Sequence, residues 1–211
     1  MRCLAISATL IAFAASTSTA TLAEVISGTA FSSGNWEGAA ETDANGAFSN
    51  CYATVGFVSG ETLWFSLYPN NTLTLYASSP SVPRTPGQEM ETQVMVETGF
   101  PWSGVATAVD QSYVALDFAN LDEATDFLTQ GSYLRMIGVG MDQAFEVRGL
   151  GGALAQARGC LAKQQATAMA GGNPAPAAPA GLKPILGTGG ATTPVTQMRR
   201  PEGLAGPTTA P

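Results

Sequence analysis

Leu63-Trp64-Phe65-Ser66-Leu67-Tyr68, then Pro69-Asn70-Asn71, then Thr72-Leu73-Thr74-Leu75-Tyr76, is the stretch whose reading decides the fold class. Leu63, Phe65 and Leu67 alternate with Trp64, Ser66 and Tyr68, and past the turn Leu73 and Leu75 alternate with Thr72, Thr74 and Tyr76. Successive side chains of a strand point to opposite faces, so the pattern predicts a β-hairpin with one aliphatic face and one face of aromatics and hydroxyls. Asn70-Asn71-Thr72 also matches a glycosylation acceptor, but its place between two alternating segments makes it the hairpin turn.

Outward from this hairpin the same period recurs in short segments: 47–58, 91–96, 104–108, 113–118, 132–137 and 144–148. Asp43-Ala44-Asn45-Gly46, Ser59-Gly60, Pro86-Gly87 and Asp110-Gln111 supply turns between them. Two segments carry the helical period instead. One spans 121–130, with Asn120 as N-cap, Asp122 and Glu123 in its first turn and Gly131 at its end. The other begins at Leu150 and places Leu150, Ala153, Leu154, Ala157, Cys160 and Leu161 on one stripe. The expected fold is mainly β: a small antiparallel β-sandwich or barrel with one short inserted helix and a C-terminal helix.

The ends of the chain read differently. Arg2, an apolar run from Cys3 to Ala15 and small residues up to Ala23 predict an export signal over residues 1–23, cleaved after Ala20 or Ala23. That run is too short to span a bilayer, and no later stretch is long enough, so no membrane span is expected. From 166 to 211 Pro, Gly and Ala dominate without aromatic residues or periodicity, which predicts a disordered tail. One globular domain, 24–165, remains, long enough for its own core. It carries fifteen acidic and five basic residues, a net charge of −10, with no basic stripe. Such a surface repels phosphate backbones, so nucleic acid is not an expected partner.

The chain has no histidine, which removes the usual general base, the usual zinc ligand and the histidine-dependent triads. Gly138-Val139-Gly140 lacks the third glycine and the following helix of a dinucleotide loop, and no cofactor or metal is expected. Asp117, Asp122, Glu123 and Asp126 form the one local cluster of acids. A pair of them suits a carboxylate-dependent hydrolase of cell-wall sugars or a Ca²⁺ site; the plainer reading is a solvated helix start whose acids complement the dipole. Trp64, Tyr68 and Tyr76 share the outer face of the hairpin, where they form either a binding platform for a glycan or protein, or a face covered by another element. Cys51 shares its strand face with Ala53, Val55 and Phe57, and Cys160 lies on the apolar stripe of the last helix. In an exported protein without a histidine to activate either thiol, the two predict a Cys51–Cys160 disulfide, a free reactive thiol being the other reading.

The stretch from Phe127 to Leu134 and the later Phe145-Glu146-Val147-Arg148-Gly149-Leu150-Gly151-Gly152-Ala153-Leu154 resemble the C-terminal half of the invasion-associated locus B family, small exported proteins of alphaproteobacteria. Trp36 and the β-rich middle fit the same outline. The resemblance implies a periplasmic or surface location and a role in envelope integrity or host contact, and it assigns no catalytic residue. The expected function is that of a non-enzymatic envelope or secreted domain with a protein or glycan partner.

Overall fold

The computed structural model describes residues 24–79, 82–97 and 99–170; the expected export signal and residues 171–211 of the expected tail lie outside them. The elements in chain order are β1 (Phe31–Ser33), β2 (Trp36–Thr42), β3 (Phe48–Gly56), β4 (Thr62–Leu67), β5 (Leu73–Ser78), β6 (Glu89–Val96), β7 (Trp102–Ala108), β8 (Tyr113–Phe118), α1 (Leu121–Leu128), β9 (Tyr133–Gly138), β10 (Met141–Glu146) and α2 (Leu150–Ala170). The strands make one antiparallel sheet in the order β1-β2-β3-β4-β5-β8-β7-β6-β9-β10. The sheet is open, with β1 and β10 as its edges, yet it coils far enough for Phe57, just past β3, to meet Phe145 of β10 at a ring-centroid distance of 5.3 Å.

The expected hairpin is β4–β5, with Leu63 opposite Ala77, Phe65 opposite Leu75 and Leu67 opposite Leu73. These six line the inner face of the coil with Val114 and Leu116 of β8, Val94 of β6, Leu134 and Met136 of β9, and Phe145, all fully buried. The helix α2 lies across β1 to β4 on this inner face and buries Leu150, Ala153, Leu154, Ala157 and Leu161. Trp36 joins the layers: it packs against Phe65 at 5.7 Å and its Nε1 donates to the carbonyl of Arg148 at 2.9 Å.

Several boundaries depart from expectation for local reasons. β1 and β2 lie outside the strand candidates, because Trp36-Glu37-Gly38-Ala39-Ala40-Glu41-Thr42 offers few β-branched side chains. Gly38 is required there: a Cβ would stand 2.1 Å from the Tyr52 carbonyl and 2.2 Å from the Phe31 ring. α1 has its Asn120 cap, which accepts from the backbone N–H of Asp122 and Glu123 at 2.9 and 3.2 Å, but it ends at Leu128 with Thr129 rather than Gly131 closing it. α2 runs through Ala170, five residues past the expected domain boundary. Adding Ala166-Thr167-Ala168-Met169-Ala170 to an existing helix requires no new nucleus. Gly138-Val139-Gly140 makes the β9–β10 turn; Val139 and Gly140 have φ of 50° and 77°, and the Val139 carbonyl accepts from Arg84 Nε and Nη2 at 3.0 and 2.8 Å.

Cys51 and Cys160 form a disulfide with a Cα–Cα distance of 6.2 Å. The small side chains Ala53, Ala153 and Ala157, all fully buried, let α2 approach β3 this closely. The bond closes a loop of sequence separation 109, for which chain entropy gives at most about 5 kcal/mol. Cys51→Ala should therefore lower unfolding free energy by about 2–5 kcal/mol and expose the 149–152 segment to limited proteolysis, as read by denaturant melts and cleavage mapping. An unreduced protein with two alkylatable thiols, or a variant as stable and protease-resistant as wild type, would contradict this.

Candidate functional site

Because β2, β3, β4, β5 and β8 are neighbours in register, their outward side chains form rows across the convex face. Glu41 stands opposite Asn50. Tyr52 stands opposite Ser66, Ser66 opposite Thr74, and Thr74 opposite Asp117. A third row runs from Thr54 through Trp64 and Tyr76 to Ala115.

Trp64, Tyr68 and Tyr76 share this face as expected, but they are only 5 %, 5 % and 4 % exposed, so they do not offer open rings for a ligand to stack upon. Their neighbours explain the burial. Tyr52 stacks on Trp64 at 4.1 Å, Trp64 Nε1 donates to Ser66 Oγ at 3.0 Å, and the Tyr68 and Tyr76 hydroxyls meet at 3.1 Å. Desolvation raises both tyrosine pKa values, and for Tyr76 the neighbouring Tyr68 adds to the rise, so the pair stays protonated and neutral. Tyr52 is pushed up to about 12, by burial first and then by Glu41 and Glu37.

Beside the hydroxyl pair runs a groove of about 760 Å³. The β4–β5 turn supplies Asn70 and Thr72, β5 supplies Thr74 and Tyr76, and β7 and β8 supply Val105, Thr107 and Asp117. Asp117 is exposed and accepts from Thr74 Oγ1 at 2.6 Å. Among the described residues lining the groove none is a lysine or arginine. Its chemistry is that of hydroxyls, an amide and a single carboxylate, with Val105 and Ala115 as apolar contacts.

The acids adjacent in sequence are separated by their elements. Asp117 belongs to the outer face of β8, whereas Asp122, Glu123 and Asp126 are exposed on α1, where Asp122 pairs with Arg158 of α2. No group of three or more potential metal ligands occurs among the described residues. Sequence reading missed Glu41 and Asn50: both are buried on the outer face, and an isolated Glu beside two alanines gives no sign of it. Comparison of the chain with protein-family models, with curated proteins and with solved structures gives no match. No helix among the described residues is long and apolar enough to cross a membrane.

Two outcomes follow from this geometry. Trp64→Ala should cost about 3–5 kcal/mol in a denaturant melt, because it empties a packed site; a loss under about 1 kcal/mol, the range of an exposed surface residue, would contradict that packing. Asp122→Asn with Asp126→Asn removes a partly exposed ion pair and should change stability by less than about 1 kcal/mol.

Proposed function

We propose that this chain is an exported, non-enzymatic domain of the bacterial envelope or secreted space, and that it holds a neutral, hydroxyl-rich ligand of the glycan class in the outer-face groove. The observation that carries this reading is the lining: tyrosine and threonine hydroxyls, the Asn70 amide and the Asp117 carboxylate around one depression, with no lysine or arginine among the described lining residues. Sugar hydroxyls both donate and accept, so they match such a mixture, while a phosphorylated or carboxylated ligand meets the Asp117 charge and the domain's net negative charge. The disulfide supports an oxidising compartment, in line with the export signal read in residues 1–23. The resemblance to the invasion-associated locus B family supports a role in envelope integrity or host contact. The absence of histidine from the chain and the separation of Asp117 from the α1 acids favour binding over hydrolysis.

The test is a titration of ¹⁵N-labelled domain with neutral tetrasaccharides of glucose and of N-acetylglucosamine. Amide shifts should concentrate on 70–74 and 105–117, and Asn70→Ala with Asp117→Ala should weaken binding about tenfold or more, the loss of one to two hydrogen bonds. Shifts scattered away from the groove, or unchanged affinity in the double variant, would remove the glycan reading. Release of shorter sugars by wild type but not by Asp122→Asn with Asp126→Asn would replace binding by hydrolysis.

A further inference from the structure

Glu41 is 7 % exposed and Asn50, directly opposite on β3, is 6 % exposed. The Asn50 amide lies near both Glu41 and the Tyr68 hydroxyl, and its Oδ1 is buried without a hydrogen-bond partner. A buried acceptor left unpaired costs free energy, and so does a buried carboxylate without a cation. Among the described residues no cationic side chain supplies relief here. The titratable groups that interact with Glu41 are Tyr52 on β3 and Tyr76 on β5; Glu37 on its own strand acts on the same Tyr52, Tyr68 and Asp117 of β8 act on the same Tyr76, and Glu24 lies beside Thr42. All are neutral or anionic.

One change removes both costs. A proton on Glu41 turns the carboxylate into a donor; with the Asn50 amide turned by 180°, the new O–H donates to Oδ1, and the turn exchanges the amide atom that stands near the Tyr68 hydroxyl. Amide oxygen and nitrogen exchange places at little steric cost, so the turn is local. We infer that Glu41 and Asn50 form a proton-binding site linked through Tyr68 to the hydroxyl pair that flanks the groove, so that the outer face rearranges its hydrogen bonds as its surroundings acidify. Burial supports this by lifting the Glu41 pKa to about 7, with Asn50 pulling it partly back. The effect on ligand binding rests on the groove reading; the proton site stands without it.

The sign follows from linkage. Between the ordinary carboxylate value of 4.5 and about 7, the folded domain holds a proton that the unfolded chain has released, so stability falls as pH rises through this window. Other shifted groups lie outside it. Tyr52, Tyr68, Tyr76 and Tyr113 move up from 10.0, Arg135 moves up from 12.5 beside Asp142, burial moves Arg84 down from 12.5, and Asp43 moves down from 3.8, its slight desolvation outweighed by the N–H groups of Ala47 and Asn45.

The experiment uses the oxidised domain without ligand. Its folding equilibrium constant should fall on the order of a hundredfold from pH 5 to pH 8, and Glu41→Gln should abolish most of that change. Carboxyl ¹³C titration of wild type should give Glu41 a midpoint well above those of the exposed glutamates, and the Tyr68 and Tyr76 ring resonances should move with the same midpoint. A Glu41→Gln variant that keeps the full slope, or a Glu41 midpoint below about 5, would overturn the proton site. Because the carboxyl titration uses wild type, it decides the question even where the variant fails to fold. Tyrosine resonances that stay still through the Glu41 midpoint would overturn the link to the groove, whatever the sugar titrations show.

Discussion

The register of β4 against β5 is the constraint on which the remaining structure rests. It sets Leu63, Phe65 and Leu67 against Ala77, Leu75 and Leu73 on one face, and Trp64 and Ser66 against Tyr76 and Thr74 on the other. A slip by one residue would turn one of the two strands over and place either Trp64 and Ser66 or Thr74 and Tyr76 in the core, so the hydrophobic pattern fixes the pairing strongly. β3 and β8 dock on either side in registers that continue both rows, bringing Cys51 inward beside Leu67 and Asp117 outward beside Thr74. The disulfide and the groove are thus opposite sides of one registration. The inner face then needs a cover where the sheet fails to close, and α2 supplies it with a stripe of alanines and leucines. Long side chains in that stripe would hold the helix away from Cys51.

The outer face is unusual in being buried without belonging to the main core. Ser66 and Thr74 are short, and the rings of Tyr52, Trp64, Tyr68 and Tyr76 close over them from neighbouring strands. Aromatics crossing between strands in this way stabilise a sheet by side-chain contact alone. The arrangement also desolvates whatever polar group lies among the rings. Trp64 finds Ser66, and Tyr68 finds Tyr76, but among the described residues Glu41 has the amide of Asn50 beside it and no cationic side chain. The bulge between Glu41 and Thr42 belongs to this geometry, since it marks the end of the register that holds Glu41 against Asn50.

What the sequence made legible tracks how local the determining physics is. The hairpin, the Asn120 cap and the inward orientation of Cys51 and Cys160 follow from period and neighbours, and all are present. β2 was not legible, because its glycine and alanines are selected by what crosses them, namely the Phe31 ring and the closely packed neighbouring strand, rather than by strand propensity. The depth of Trp64, Tyr68 and Tyr76 depends on the coil of a ten-stranded sheet, a property of no single segment. The acid cluster illustrates the converse: Asp117 and Asp122 are five positions apart, yet a strand face and a helix start give them different partners, Thr74 and Arg158.

The same distinction bears on why Glu41 is more than a packing defect. A neutral side chain of similar volume at this position would pair with Asn50 at every pH and leave the sheet more stable at neutrality, since neither partner would then carry an uncompensated charge. A carboxyl instead gives the site two hydrogen-bonding states, separated by a single proton and joined by an amide able to donate or accept in either direction. Tyr68 and Tyr76 remain neutral in both states, so the change reaches the groove as a redistribution of donors and acceptors, with no new charge placed in it. A face that recognises hydroxyl groups is sensitive to that redistribution, because such ligands discriminate by which oxygen donates. In a chain without histidine, the desolvated Glu41 carboxyl gives the fold a side chain that responds to pH near neutrality.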